Sequence, residues 1–321
     1  MSPRGRVFFF VALAAVVASG AVVLAVVATR DHVAAAPKPR AGRPPLTLDL
    51  GVRTDPEARA LERAQRLYGN KQFGEAKAIF DRYHSPEAQV GSALASWPDG
   101  SLDRIQSLAA EHPRSSLLAL HLGLAYYWTR RDAQALTAWR AARTLRPDTS
   151  YAVRAGDFLY PRYAPGLPSF VPSFPLPLRI RVLDPSRQLP ALREAAARDD
   201  ADAKLLYGAA LQQLGHPVSA ETQFADAARL APRDAEARTA AAVGLFDKQN
   251  PSRAFGRLGP LVRVFPRAQT VRFHLGEMLL WSAQLEAARR QLTLARDEDP
   301  TSLLGRQAAA YLTALRGVGT R

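Results

Sequence analysis

ADAKLLYGAALQQLGHPVSAETQFADAARLAPRD, residues 201–234, runs without a gap into AEARTAAAVGLFDKQNPSRAFGRLGPLVRVFPRA (235–268) and QTVRFHLGEMLLWSAQLEAARRQLTLARDEDPTS (269–302). Each segment is 34 residues long, and apolar residues recur in each at helical spacing, in two runs of about a dozen separated by a short polar turn. Small residues hold the eighth and twentieth places: Gly208 and Ala220, Ala242 and Ala254, Gly276 and Ala288. A large apolar residue holds the twenty-fourth (Phe224, Leu258, Leu292) and proline the thirty-second (Pro232, Pro266, Pro300). Small residues let two antiparallel helices approach closely, and the large residue fills the space beside the contact. Proline just past the second helix stops it and starts the next unit. No single pair can bury its apolar face alone, so stacked neighbours supply the core.

The register returns upstream. SLLALHLGLAYYWTRRDAQALTAWRAARTLRPDT, residues 116–149, has Gly123, Ala135, Trp139, Ala142 and Pro147 at the same places. Residues 57–84 keep only Ala64, Ala76 and Phe80 in register. Residues 85–115 form a shortened unit, with PEAQVGSALASW and SLDRIQSLAAEH as its two helices and Pro113 closing it.

On these four good units the chain resembles a tetratricopeptide repeat (TPR) protein of membrane-anchored bacterial type, over residues 56–318. It departs from that family at Arg63, where an apolar residue is usual, and at Ala241, where a leucine is. The fold class expected is all-α: a right-handed TPR-like α-solenoid of antiparallel helix pairs, preceded by one transmembrane helix. The resemblance implies a concave surface lined by the first helix of each unit. Its positions there fall on Leu120, Leu124, Tyr127 and Trp128, then Leu205, Gln212 and Gln213, then Thr239, Phe246 and Asp247, then Phe273, Glu277, Leu280 and Trp281. Aromatic anchors commonly dominate interfaces, which puts Tyr127, Trp128, Phe273 and Trp281 first; the plain alternative is that they cover the next unit's core.

One stretch resists the pattern. YPRYAPGLPSFVPSFPLPLRIRV (160–182) holds six prolines, four aromatics and no acidic residue, so it is neither helix nor central strand. SYAVRAGDFLY before it and LPALREAAARDD after it, from Leu189, both suit helices. Residues 160–188 are then expected to be a proline-rich insertion in the turn of one hairpin of the 56–318 solenoid, the alternative being a separator between two shorter arrays. Tyr160, Tyr163, Phe170 and Phe174 either pack back on the helices or present extended chain to a partner.

The amino-terminal part divides into a short tail (1–6), an uncharged apolar run (7–29) long enough to cross a bilayer, and a flexible Ala/Pro/basic linker (30–55). The run exceeds a cleavable signal's core, so a single-pass signal anchor is expected. The short tail makes a solenoid outside the cytoplasm the expected placement, although the four basic residues at Arg30, Lys38, Arg40 and Arg43, against Arg4 and Arg6 before the run, argue the reverse.

Net charge is +14, with +5 of it in residues 1–43, but no basic block stands out and nucleic acid is not an expected partner. Cysteine is absent, which removes disulfides and thiolate chemistry. The six histidines lack ligand spacing; His121 and His274 share one repeat position, which is a matter of repeat geometry. No catalytic motif occurs, and acidic runs such as Asp199, Asp200 and Asp202, or Asp297, Glu298 and Asp299, sit at unit junctions, where a solvated turn or a helix start accounts for them. No enzyme, metal or cofactor is expected. The function expected is a membrane-tethered scaffold or adaptor binding a protein or peptide in its groove. The alternatives are an envelope polysaccharide or cell-wall polymer-binding component, stacking sugars on Tyr127 and Trp128, and a regulatory sensor.

Overall fold

The structure, a computed structural model, describes residues 40–316. The tail and the apolar run at 7–29 lie outside the described residues; among the described residues no helix is long and apolar enough to cross a membrane. Two compact units divide the chain, one ending at Leu159 and the other starting at Tyr160.

The N-terminal unit contains α1 (Pro56–Gly69), α2 (Phe73–Phe80), α3 (Pro86–Ala95), α4 (Ser101–Glu111), α5 (Ser116–Trp128), α6 (Asp132–Leu145) and α7 (Ser150–Leu159). In the C-terminal unit follow α8 (Leu178–Arg181), α9 (Pro185–Ala196), α10 (Ala201–Gln213), α11 (Pro217–Leu230), α12 (Ala235–Gly244), α13 (Ser252–Leu258), α14 (Leu261–Val264), α15 (Gln269–Trp281), α16 (Leu285–Glu298) and α17 (Leu303–Arg316). Within each unit every helix packs on its successor, and each first helix also touches the next first helix: α1 on α3, α3 on α5, α5 on α7; α10 on α12, α12 on α15, α15 on α17.

Sequence explains these hairpins locally. First helices start on side-chain caps: Asp55 accepts from the Ala58 N–H at 3.0 Å, Ser85 from Ala88 at 3.3 Å, Ser115 from Leu118 at 3.3 Å, Asp200 from Ala203 at 3.1 Å and Asp234 from Ala237 at 2.7 Å. Of the junction carboxylates, Asp200 and Asp234 are helix starts, whereas Asp297 and Glu298 close a helix and Asp299 accepts from Thr301 and Ser302 in the turn after it. Hairpin turns share a left-handed residue at the fifteenth position, Lys71 (φ 66°), Arg130 (φ 62°), Gly215 (φ 77°) and Ala283 (φ 57°), of which only one is glycine.

The small-residue register marks close helix contacts. A Cβ on Gly208 would stand 2.5 Å from the Phe224 ring, one on Gly276 2.7 Å from Leu292, and one on Gly123 would collide with the Trp139 indole. Ala135, Ala220, Ala254 and Ala288 are fully buried beside them.

Two expectations are corrected. The ungapped alignment carries Phe246 and Asp247 on a first helix, but α12 ends at Gly244 and the second helix of that unit breaks into α13 and α14 around Gly259 and Pro260. Helix α9 starts at Pro185 rather than Leu189, because Asp184–Pro185 supplies a helix start with proline at its first position. Helix α7 packs on α5 and α6, and α9 on α8 and α10.

Candidate functional site

The first-helix face of each unit holds a stretch of the chain itself. In the N-terminal unit the occupant is residues 40–50, which the composition assigns to a flexible linker; the described part is instead packed against the helices. Leu48 and Leu50 are buried in the unit's core beside Leu46. Pro44 presents its C=O to the Tyr68 hydroxyl, which donates at 2.6 Å from the end of α1. The Arg43 guanidinium donates to the Ala95 C=O at 2.6 Å, at the end of α3, and stands 4.2 Å from the centre of the Phe73 ring. Arg40 pairs with Asp132 at 2.8 Å and covers the Tyr127 ring. Nearer α1, Thr47 donates its backbone N–H to His121 Nε2 at 3.3 Å, and Asp49 its N–H to the Tyr151 hydroxyl at 2.8 Å. Ser150 returns a bond to the Asp49 carboxylate at 2.6 Å.

Residues 164–174 occupy the C-terminal groove. Ala164 is pinned at both backbone atoms: its N–H donates to the Trp281 C=O at 3.1 Å, and its C=O accepts from Lys248 at 2.6 Å. Further along, side chains of three first helices take the backbone N–H groups. Phe170 donates to Gln212 Oε1 at 2.8 Å, Val171 to His274 Nε2 at 2.9 Å and Ser173 to Glu236 Oε1 at 2.5 Å. Between them Pro172 has no N–H to give. Ser169 lies with its N–H against the Glu277 carboxylate. Phe170 is buried, edge-on to Phe224 with centroids 5.4 Å apart and stacked on His274 at 4.9 Å.

The two histidines do the same work in the two units. In each, Nδ1 faces a carbonyl four residues back, Leu117 at 2.8 Å and Thr270 at 2.7 Å. A carbonyl only accepts, so Nδ1 carries the proton and Nε2 is left as an acceptor for the extended chain. Both rings are fully buried, and burial lowers each pKa to about 4, opposed by the carbonyl contact. They stay neutral, as an accepting Nε2 requires. Burial pushes Glu277 up to about 8, with Ser169 and the Tyr311 hydroxyl pulling the other way. It raises Glu236 as well, against the Ser173 N–H and the Thr270 hydroxyl.

The sequence candidates fall into three groups. Gln212 and Glu277 touch the occupant directly, as does the Trp281 backbone. Leu120, Leu124, Leu205, Thr239, Phe246, Phe273, Leu280 and Trp281 are buried in the cores. Tyr127 is half-buried under Arg40, Trp128 packs at 5.5 Å against Tyr127, and Gln213 is exposed. Among the inserted aromatics, Phe170 and Phe174 pack back on the helices, while Tyr160 and Tyr163 are half-buried and Arg162 stands 4.8 Å from the Tyr163 ring. Sequence reasoning noticed the shared place of His121 and His274 but gave it no role. Glu236 was missed, although it holds the second place of its unit, which the groove register includes. Among the described residues no group of three or more His, Asp or Glu could hold a metal ion.

Antiparallel helix pairs in a 34-residue register, with extended chain lying along the first helices, define a TPR-like repeat protein. No family profile matches the sequence, and neither does any curated protein. Solved structures similar to the chain include YrrB, described as a TPR protein with an unusual peptide-binding site (15% identity, TM-score 0.31, covering 65% of this chain and 98% of that one). Others are the TPR2AB domain of yeast Sti1 in a pHSP90 complex (14%, TM-score 0.32, 82% and 98%) and a tetratricopeptide repeat protein from Parabacteroides merdae (12%, TM-score 0.34, 81% and 98%). TM-scores this low carry no argument, and the architecture rests on the hairpin contacts themselves.

Proposed function

We propose that the protein is a non-enzymatic scaffold, held at a cell membrane by residues 7–29 with its helical units outside the cytoplasm, whose grooves hold a segment of a partner protein in extended form. One observation carries the reading: in both units an extended, proline-bearing stretch gives a backbone N–H to a buried histidine at the same repeat position. Backbone N–H groups are common to all proteins, so a surface that accepts them suits polypeptide better than sugar. The polymer-binding alternative is less well supported, because Arg40 covers the Tyr127 ring that would stack on a sugar. The test is affinity purification of the tagged full chain from solubilised membranes. The expected result is one stoichiometric protein, lost with His274→Leu plus Gln212→Ala and retained with the surface change Gln213→Ala. A partner unaffected by the groove variants overturns the groove assignment. A full chain recovered in the soluble fraction overturns the tether.

A further inference from the structure

The C-terminal groove makes two kinds of demand on its occupant. The first is a pattern of backbone donors. Gln212, His274 and Glu236 accept N–H groups at residues 170, 171 and 173, and none of them faces 172, which is proline. The second is one aromatic side chain, two places before that proline, filling the slot between Phe224 and His274. Charge narrows the choice further. Glu236 and Glu277 are buried at 9% and 3% exposure, and residues 160–182 contain no acid. A carboxylate on the occupant would have to give up its hydration there, beside two carboxyl groups that burial already pushes toward their neutral form.

An empty groove is costly, since the buried acceptors His274 and Glu236, the half-buried Gln212, and the Phe224 and His274 ring faces lose their partners. An exchanged groove is not, provided the newcomer repeats the donors and the ring. Sites built on buried hydrogen-bonding groups discriminate strongly against chains lacking the matching group. The resident stretch brings little structure of its own to lose: its prolines bar helix and ladder, and its N–H groups at 170, 171 and 173 go to the groove rather than to each other.

We propose that the C-terminal groove recognises an acid-free, extended Phe-x-Pro segment of a partner protein, and that residues 164–174 are its built-in competitor. This rests on the reading of the grooves as sites for extended chain, and deepens it by naming the segment. The partner displaces the resident stretch and takes over the acceptors at Gln212, His274 and Glu236. Selection comes from the ring, the imino position and the absence of acid, while the backbone bonds hold any chain that satisfies those three.

The probe is a fluorescent synthetic peptide with the sequence of residues 163–176, titrated against the detergent-solubilised full chain and followed by anisotropy. Three proteins are compared: the natural sequence, Phe170→Ala, and a version with 164–174 replaced by Gly/Ser of equal length. Vacating the slot in Phe170→Ala is expected to tighten peptide binding at least tenfold over the natural sequence. The replaced version is expected to bind at least as tightly and to gain thermal stability with peptide. A peptide N-methylated at the Val171 position, and one with alanine at the Phe170 position, should each bind at least tenfold more weakly. If the replaced version does not fold, Phe170→Ala decides alone. No gain in binding there, or equal binding of the N-methylated peptide, overturns the proposal. A membrane-derived partner that still co-purifies, is lost on changing His274 and Gln212, and is not displaced by the peptide would overturn the Phe-x-Pro assignment while leaving the scaffold reading intact.

Discussion

The two units solve one problem with different chemistry. In the N-terminal unit the occupant is held largely by its own side chains: Arg40 on Asp132 and Tyr127, Arg43 on Ala95 and Phe73, Leu48 and Leu50 in the core. In the C-terminal unit the groove holds mainly the occupant's backbone, through Gln212, His274 and Glu236, with Phe170 as the single deep side chain. Side-chain anchoring ties a groove to one particular sequence. Backbone anchoring tolerates exchange. The C-terminal groove is therefore the one in which a foreign segment can replace the resident one.

The comparison can be broken at several points. The largest effect is expected from Phe224→Ala, which removes both the ring packed on Gly208 and the edge partner of Phe170. It should cost roughly 3–5 kcal/mol in chemical denaturation, and hydrogen exchange should place the loss in residues 160–316. Equal loosening of the N-terminal unit would show that the two do not behave separately.

The next effect compares the histidines. His274→Leu strands the Val171 N–H beside a buried ring and should cost roughly 1–3 kcal/mol, whereas His121→Leu, whose bond to Thr47 is 3.3 Å against 2.9 Å, should cost about 0.5–1.5 kcal/mol. Equal costs would remove the distinction between side-chain and backbone anchoring.

Acidity should separate the units more gently. His121 and His274 titrate ordinarily at 6.5 but near 4 when folded, so between those values only the unfolded chain takes the proton, and stability falls as pH falls. Glu277 has the opposite sign: its ordinary value is 4.5 and its folded value about 8, so stability falls as pH rises through that window, and Glu236 is raised in the same sense. Lowering pH from about 6.5 to about 4.5 should thus weaken the N-terminal unit and leave the C-terminal one nearly level, since its histidine and carboxylates offset each other. Raising it from about 6.5 to about 8 should weaken only the C-terminal unit. Hydrogen exchange across that range, corrected for the intrinsic rate, is the measurement; parallel profiles would contradict the assignments.

The smallest effect concerns the hairpin turns. Ala283→Gly relieves a left-handed residue and should stabilise the C-terminal unit by roughly 0.5–1 kcal/mol in thermal unfolding. Arg130→Gly should gain less, because Arg130 makes an interaction of its own that the change puts at risk.

Most of the fold was legible. Gly123, Gly208 and Gly276 mark the close contacts because helix approach depends on local side-chain volume, which the sequence states outright. Capping residues such as Asp200 and Asp234 mark the starts for the same local reason. The breaks were legible less well. Pro260 interrupts a second helix that periodicity alone continued, and Pro185 begins one that apolar spacing delayed to Leu189. Of the site, Gln212 and Glu277 were found because groove positions follow repeat register. The recurrence of histidine at one position was the remaining signal, and it pointed to the right residues without saying what they hold.

By itself the sequence determined the helix pairs, their phase and the small-to-large contacts between them, since each depends on residues no more than a few helical turns apart. Only the tertiary structure decided that both grooves are filled by the chain's own extended segments. Thr47 meets His121 across 74 residues and Val171 meets His274 across 103. A proline-rich stretch has neither periodicity nor internal hydrogen bonds to announce its place, so that place is set by the acceptors waiting in a groove which exists only once the hairpins have packed.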